Sequence, residues 1–295
     1  MQVAVTGSSG LIGSALVPAL RAAGHEVVPI VRDTPSPGEV GWDPAAGTID
    51  SAGLQGTDAI VHLAGESIGK RWTASRKERV LRSRVDGTTL IARTAATLSP
   101  RPSVLVCASG AGFYGDRGDD VLTEQSSKGT GFLPDVVEAW EAAAQPARDA
   151  GIRVVTLRQG IVLSRHGGAL AQLLTPFKLM VGGRVGDGKQ WWSWVSLEDA
   201  VGAYLFALAQ PLEGPVNVAA PGVVTNREFT KALGRALGRP TVFPLPVPVV
   251  RLAFGQMGEE MLLGGQRTAP EQLAQAGFTF AHPEIDAGIR SALER

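Results

Sequence analysis

The chain has 295 residues, 44% of them hydrophobic, and 28 Lys+Arg are set against 28 Asp+Glu. That length suffices for a substantial core, and the balanced charge offers no basic surface to a nucleic acid or an anionic membrane. A single cysteine, Cys107, excludes an internal disulfide, and the four scattered histidines give no metal-ligand spacing.

Residues 2–32 read QVAVTGSSGLIGSALVPALRAAGHEVVPIVR. Val3–Thr6 is a short β-branched apolar run, the pattern of a buried strand. Leu11, Ala15, Leu16 and Leu20 follow at helical spacing, Gly24 suits a helix end, and Val27–Val31 is a second strand. Because the first strand begins at residue 2, no signal peptide is expected. No apolar run reaches the length of a membrane span, so the expected setting is the cytoplasm.

Between the first strand and its helix lies Gly7-Ser8-Ser9-Gly10-Leu11-Ile12-Gly13, a G-x-x-G-x-x-G spacing. Gly7 suits a tight turn, Gly10 admits a diphosphate to the backbone, and Gly13 lets helix and strand approach closely. A helix N-terminus at that point faces the phosphates with free N–H groups. A chance glycine turn is the alternative, and the strand–loop–helix context argues against it. The second strand ends at Val31-Arg32-Asp33. Arg32 favours the 2′-phosphate of NADP, while Asp33 one position on keeps NAD open through a ribose hydroxyl. Arg32 as an ordinary surface charge is the other reading.

The segment 34–56 is rich in Pro, Gly and Asp and reads as a loop with one short strand. Asp58–Leu63 is a third buried strand. Its exit, Leu63-Ala64-Gly65-Glu66, falls where an open parallel sheet binds ligands, although a plain strand-exit turn has the same composition. Thr73–Leu98 reads as a long helix, with Ser75 and Glu78 as its capping box. Its arginines mostly coat a solvated face, but Arg84, and after it Arg79, are placed to reach an anionic group. Ser103–Ser109 is a strand containing Cys107, which reads as a packed thiol. A glycine-rich loop over 116–131 follows, the expected active-site loop, and then a helix over 132–149 and a strand over 152–157. Gly160 and Val162 lie just past that strand on the expected cofactor edge. Strands alternating with helices predict parallel pairing through right-handed crossovers.

From about residue 165 the pattern changes. Ala169–Met180 reads as a helix. Trp191, Trp192 and Trp194 either line a substrate pocket or pack in the core. Ser196 is placed to cap a helix starting at Leu197, Pro215–Ala219 is a strand, and Thr225 or Asn226 caps a helix running to Leu237. Residues 243–248 are proline-rich and expected to be extended, and 249–295 are mostly helical. The division is a dinucleotide-binding domain over 1–165 and a region over 166–295 that completes the sheet and forms a smaller lobe.

The chain resembles the short-chain dehydrogenase/reductase superfamily in its extended, sugar-nucleotide-epimerase-like form. The residues that carry this are TGSSGLIGSAL at 6–16, HLAG at 62–65, the SxxxFYG segment at 109–115 and WVSLEDA at 194–200. More closely it resembles the atypical NAD-dependent epimerase/dehydratase branch, through HLAGESIGKRW at 62–72, SRVDGT at 83–88, WEAAA at 140–144, GGxxGxGxQ at 182–190 and the GF-F ending at 277–280. The resemblance implies an α/β fold with a Rossmann-type doubly wound parallel sheet, a C-terminal substrate lobe, bound NADP or NAD, and a small-molecule substrate, with nucleotide sugars as one class.

Active members of the superfamily carry a Tyr-x-x-x-Lys pair on a helix. Here the two tyrosines, Tyr114 and Tyr204, are followed four residues on by Gly118 and Leu208, and the expected helix has Leu133 and Val137 near the two positions. Ser109 fits the family's strand-end serine with a spacing one residue longer, so Ser109 and Tyr114 become the candidate catalytic pair. Tyr114 as a structural turn aromatic is the alternative. Glu66 is a candidate acid or base, or an ion-pair partner of Arg71 or Arg84. Two functions follow: an NADP-dependent oxidoreductase or epimerase with an unusual proton relay, or an inactive NADP(H)-binding sensor with a role attached to cell division. The chain is expected to be a monomer or homodimer.

Overall fold

The computed structural model describes residues 1–32 and 34–294, so Asp33 lies outside the described residues. In chain order the first half contains β1 (Gln2–Thr6), α1 (Gly13–Ala22), β2 (Glu26–Val31), β3 (Val40–Asp43), β4 (Thr48–Ile49), β5 (Ala59–His62), α2 (Ala74–Thr97), β6 (Val104–Gly110), β7 (Val121–Leu122), α3 (Phe132–Ala142), α4 (Gln145–Asp149) and β8 (Arg153–Gln159). The second half adds β9 (Ile161–Leu163), α5 (Gly168–Lys178), β10 (Trp191–Trp192), β11 (Trp194–Ser196), α6 (Leu197–Ala209), β12 (Gly214–Val218), β13 (Val224–Thr225), α7 (Asn226–Leu237), α8 (Val247–Phe254), α9 (Gln256–Gly258), β14 (Arg267–Thr268), α10 (Glu271–Gln275) and α11 (Ile285–Glu294).

Eight strands form the central sheet in the order β12-β8-β6-β5-β1-β2-β3-β4. All neighbours pair parallel except β3 and β4, which are antiparallel. Alternation along the strands sorts their side chains onto two faces. Val3, Val5, Val61, Val106 and Val155 pack with Leu16 and Leu20 of α1 and with Ala200 and Tyr204 of α6. On the opposite face Ala4, Ile30, Ile60, Leu105 and Cys107 pack with Ile91 and Ala92 of α2 and Ala147 of α4. Helices on both faces make this a doubly wound α/β sheet, and the strand order reverses between β1 and β5. A third cluster, holding Trp192, Trp194, Phe229 and Ile289, lies under the C-terminal segments.

Several local expectations change. Thr73, not Ser75, caps α2: its hydroxyl accepts from the Arg76 N–H at 3.2 Å. The helix expected over 132–149 divides into α3 and α4, because Pro146 has no N–H to return to the preceding turn. Helix α8 begins at Val247, inside the stretch expected to be extended. Pro248 falls in its first turn, where a missing N–H costs nothing. Thr225 caps α7 in a reciprocal capping box with Glu228, and Ser196 caps α6 as expected. Among the described residues no helix is long and apolar enough to cross a membrane.

Candidate functional site

The crevice opens where β1 and β5 part. Gly7 has φ +66°, and a methyl built on it would stand 3.1 Å from the Leu63 carbonyl carbon and the Ala64 nitrogen. A methyl on Gly13 would fall 2.1 Å from the Gly7 carbonyl oxygen, so α1 lies against its own loop. Gly10 differs, since its methyl would meet only the Gly7 oxygen, at 3.2 Å, and open space otherwise. No side chain caps the N-terminus of α1. The loop of Ser8, Ser9, Leu11 and Ile12 thus presents backbone to a cradle whose middle glycine has little packing reason to lack a side chain. Leu11 closes one side by packing on Gly167 and Gly168 at the start of α5. Arg32 is exposed at the end of β2.

At the β5 exit the Thr6 hydroxyl accepts from the Leu63 N–H at 3.0 Å and the Ala64 N–H at 3.2 Å. Its own hydrogen goes to Nδ1 of His62, 2.8 Å away. That contact assigns the imidazole hydrogen to Nε2, which is buried and unpartnered. Burial pushes His62 down to about 4, so the ring is neutral. Glu66 pairs with Arg76 at 3.3 Å rather than with Arg71 or Arg84. Arg71 instead donates to the Leu252 and Ala253 carbonyls. Arg84 lies beside Gly65, its Nη1 donating to the Glu66 carbonyl at 3.0 Å and the Val80 carbonyl at 3.1 Å. Burial lowers it to about 10, against the opposing pull of Glu66. Arg79 is exposed on α2 and away from these contacts.

The two candidate catalytic hydroxyls both lie inside a buried hydrogen-bond network. Tyr114 is 0% exposed. Its hydroxyl donates to Oδ1 of Asn217 at 2.7 Å and accepts from Nη1 of Arg158 at 3.1 Å. Burial raises its pKa, with Arg158 opposing. Ser109 is buried, and its hydrogen goes to Oε1 of Glu141 at 2.6 Å. Arg158, 4% exposed, holds the same carboxylate through Nε at 2.8 Å and Nη2 at 2.7 Å. Burial opposes the charge on Arg158, and the Glu141 carboxylate more than offsets it, so its pKa ends above the ordinary value. Its guanidinium carbon also stacks 3.5 Å from the Phe113 ring centroid. Ser109 and Tyr114 therefore belong to a buried clamp binding β6, β8 and β12 to α3, with both hydrogens already committed.

Glu141, Arg158 and Asn217 escaped the sequence reading. The available signal was a charged residue and an amide inside the apolar runs VVTLRQ and PVNV, which a buried strand tolerates only with partners. Gly160 packs against the residue that leads into β11, where a methyl would meet the Ser193 oxygen at 2.7 Å, so packing already accounts for that glycine. Val162 is half-buried and pairs with Val195 of β11. Of the tryptophans, Trp192 and Trp194 are core, whereas half-buried Trp191 donates from Nε1 to Asp119 at 2.7 Å, under Arg267.

Beyond β6 a cleft of about 120 Å³ is lined by Gly112, Asp116, Thr130, Leu133, Glu260 and Gln266, among others. Glu260 reaches from the C-terminal segments to the start of α3, where the Phe132 and Leu133 N–H groups donate to its two oxygens at 3.0 and 2.9 Å. Leu133 and Val137 stand where the superfamily's tyrosine and lysine were expected.

A doubly wound sheet with a glycine cradle at its reversal point defines an NAD(P)-binding protein of the Rossmann type. Residues 3–219 match the family model described as NAD dependent epimerase/dehydratase family, and residues 245–292 match a domain of unknown function, DUF1731. The chain belongs to the NAD-dependent epimerase/dehydratase family. It is 46% identical to an epimerase family protein of Mycobacterium bovis, over 99% of this chain and 98% of that one. A crystal structure of the human epimerase family protein SDR39U1 with NADPH has a TM-score of 0.91, 36% identity and complete coverage of both chains. The fold also matches MoeE5 in complex with UDP-glucuronic acid and NAD, with a TM-score of 0.80 at 23% identity, covering 100% of this chain and 98% of that one. The names of these relatives make no reference to cell division.

Proposed function

We propose that the chain binds NADP(H) and acts as an NADP-dependent oxidoreductase or epimerase on a small molecule, with nucleotide sugars as the first class to test. The observation that carries this reading is Gly10, whose missing side chain opens toward free space at an uncapped helix start. The N–H groups of residues 7–13 would hold the diphosphate, Arg32 the 2′-phosphate, and the backbone of Leu63, Ala64 and Gly65 would pass beneath a ribose. Bound NADP would supply hydride exchange, and the protein would supply position and electrostatics. With Ser109 and Tyr114 spent on the clamp, proton exchange falls to the cleft. Glu260 is engaged by α3, and Glu259 pairs with Arg251 at 3.1 Å. Asp116, exposed and bonded to the Gly118 N–H, is the carboxylate with fewest commitments.

Titration with NADPH and NADH, followed by quenching of tryptophan fluorescence, tests the binding step. A screen of carbonyl and sugar-nucleotide substrates, followed by NADPH absorbance, tests turnover. Absence of binding to either coenzyme removes the reading. The apolar pair Leu133 and Val137 favours a second one, a protein that holds NADPH without turning it over. Saturable binding with no turnover across the screen selects it.

A further inference from the structure

The helix after β6 offers no cation where the superfamily places its lysine, since Val137 is buried and apolar. A cation from a different helix packs on α3 close to that place. Arg84 projects from α2, and its guanidinium carbon lies 4.9 Å from the ring centroid of Trp140, one turn beyond Val137 on α3. Its other side faces the β5 exit, where a methyl on Gly65 would stand 3.5 Å from the same carbon and 3.6 Å from Nη2. Nη1 is anchored by the Glu66 and Val80 carbonyls. Nε and Nη2 make no hydrogen bond among the described residues. An arginine edge of this kind is a planar two-donor fork, matched to a pair of neighbouring oxygens.

We propose that Arg84 replaces the missing lysine from the opposite helix, and that its Nε–Nη2 edge receives the two hydroxyls of the ribose at the nicotinamide end of the cofactor. The inference rests on the NADP(H) reading above. The N–H groups of the loop at β1 already provide for the diphosphate, whereas Arg84 projects from α2 beside the β5 exit. Anchoring at Nη1 by two carbonyls fixes the fork before any ligand arrives, so little side-chain freedom is lost on binding.

The test compares NADPH, 2′-phospho-ADP-ribose and 2′-phospho-ADP, which share the adenosine phosphate end. Only the first two carry the second ribose. In Arg84→Met the affinities for NADPH and 2′-phospho-ADP-ribose should fall roughly tenfold or more, while 2′-phospho-ADP binds within about twofold of wild type. Arg84→Lys, which keeps the charge and loses the fork, should fall between. Each variant is judged by the ratio of two affinities measured on one preparation, which a loss of folded protein leaves unchanged. Equal loss for all three ligands would put Arg84 on the diphosphate and overturn the assignment, as would no loss at all. If wild type binds none of them, the NADP(H) reading itself fails, and the two failures are distinct.

Discussion

Gly10 and Gly13 occupy one loop, yet the structure gives their replacement by alanine opposite consequences. In Gly13→Ala the new methyl lies 2.1 Å from the Gly7 oxygen and 2.8 Å from the Ser8 Cα. Both obstacles are backbone, so the loop must move by about an ångström, and overpacking of this kind costs about 1–3 kcal/mol. In Gly10→Ala the only close atom is the Gly7 oxygen at 3.2 Å, and the backbone φ is not positive. The stability change should lie within about 1 kcal/mol, because the smaller freedom of the unfolded alanine chain offsets the mild crowding. The Gly10 methyl nevertheless occupies the approach to the loop's N–H groups. Urea unfolding should therefore separate Gly13→Ala from wild type and leave Gly10→Ala close to it. NADPH titration should show Gly10→Ala weakened by about tenfold or more, a loss of at least about 1.4 kcal/mol. A Gly10→Ala protein that folds normally and binds NADPH like wild type would refute the placement of a diphosphate on this peptide.

Three further outcomes are expected. Arg32→Ala should weaken NADPH by about tenfold or more through loss of a charge-assisted bond and leave NADH nearly unchanged, and equal losses for both would remove Arg32 from the 2′-phosphate. Glu141→Ala leaves Arg158 buried without its carboxylate, which costs about 3–5 kcal/mol in urea unfolding, and a loss under about 1 kcal/mol would show that solvent reaches the clamp. His62 stays neutral in the folded protein down to about 4, whereas an unfolded chain protonates near 6.5. Stability tied to His62 is thus complete above 6.5 and falls as pH drops from 6.5 to 4, by at most about 3 kcal/mol. Stability curves of wild type and His62→Asn, measured across that interval, should converge toward its acidic end, and parallel curves would mean the ring titrates normally.

Much of the scaffold was legible because its signals are local. Apolar runs of Val and Ile, glycines at turn positions and the cap residues Ser196 and Thr225 each act within a few residues. The crevice was legible for the same reason, since the glycine spacing and the Ala64-Gly65 exit sit next to their strands. What escaped depends on partners distant in sequence. Ser109 looked available because nothing in its neighbourhood reveals Glu141, brought onto it by α3 packing over β6. Tyr114 read either as a catalytic hydroxyl or as a structural turn aromatic, and the partner that holds its hydroxyl, Asn217, lies 103 residues on. The Glu66 carboxylate found Arg76, while Arg84 bonds the Glu66 carbonyl and Arg71 is drawn to carbonyls near residue 252. The helix expected over 132–149 ran on past Ala142 because Pro146 was not read as a break.

Thr6 contributes one oxygen to the seam between β1 and β5, and two things that folded chains ordinarily settle separately depend on it. It holds the first two amides beyond the last paired residue of β5, and it decides which imidazole nitrogen keeps its hydrogen. A valine there would match the shape and withdraw both at once, and a serine would restore the bonds while loosening the rotamer. The course of the chain out of the strand and the tautomer of a buried ring are thus joined at a single hydroxyl.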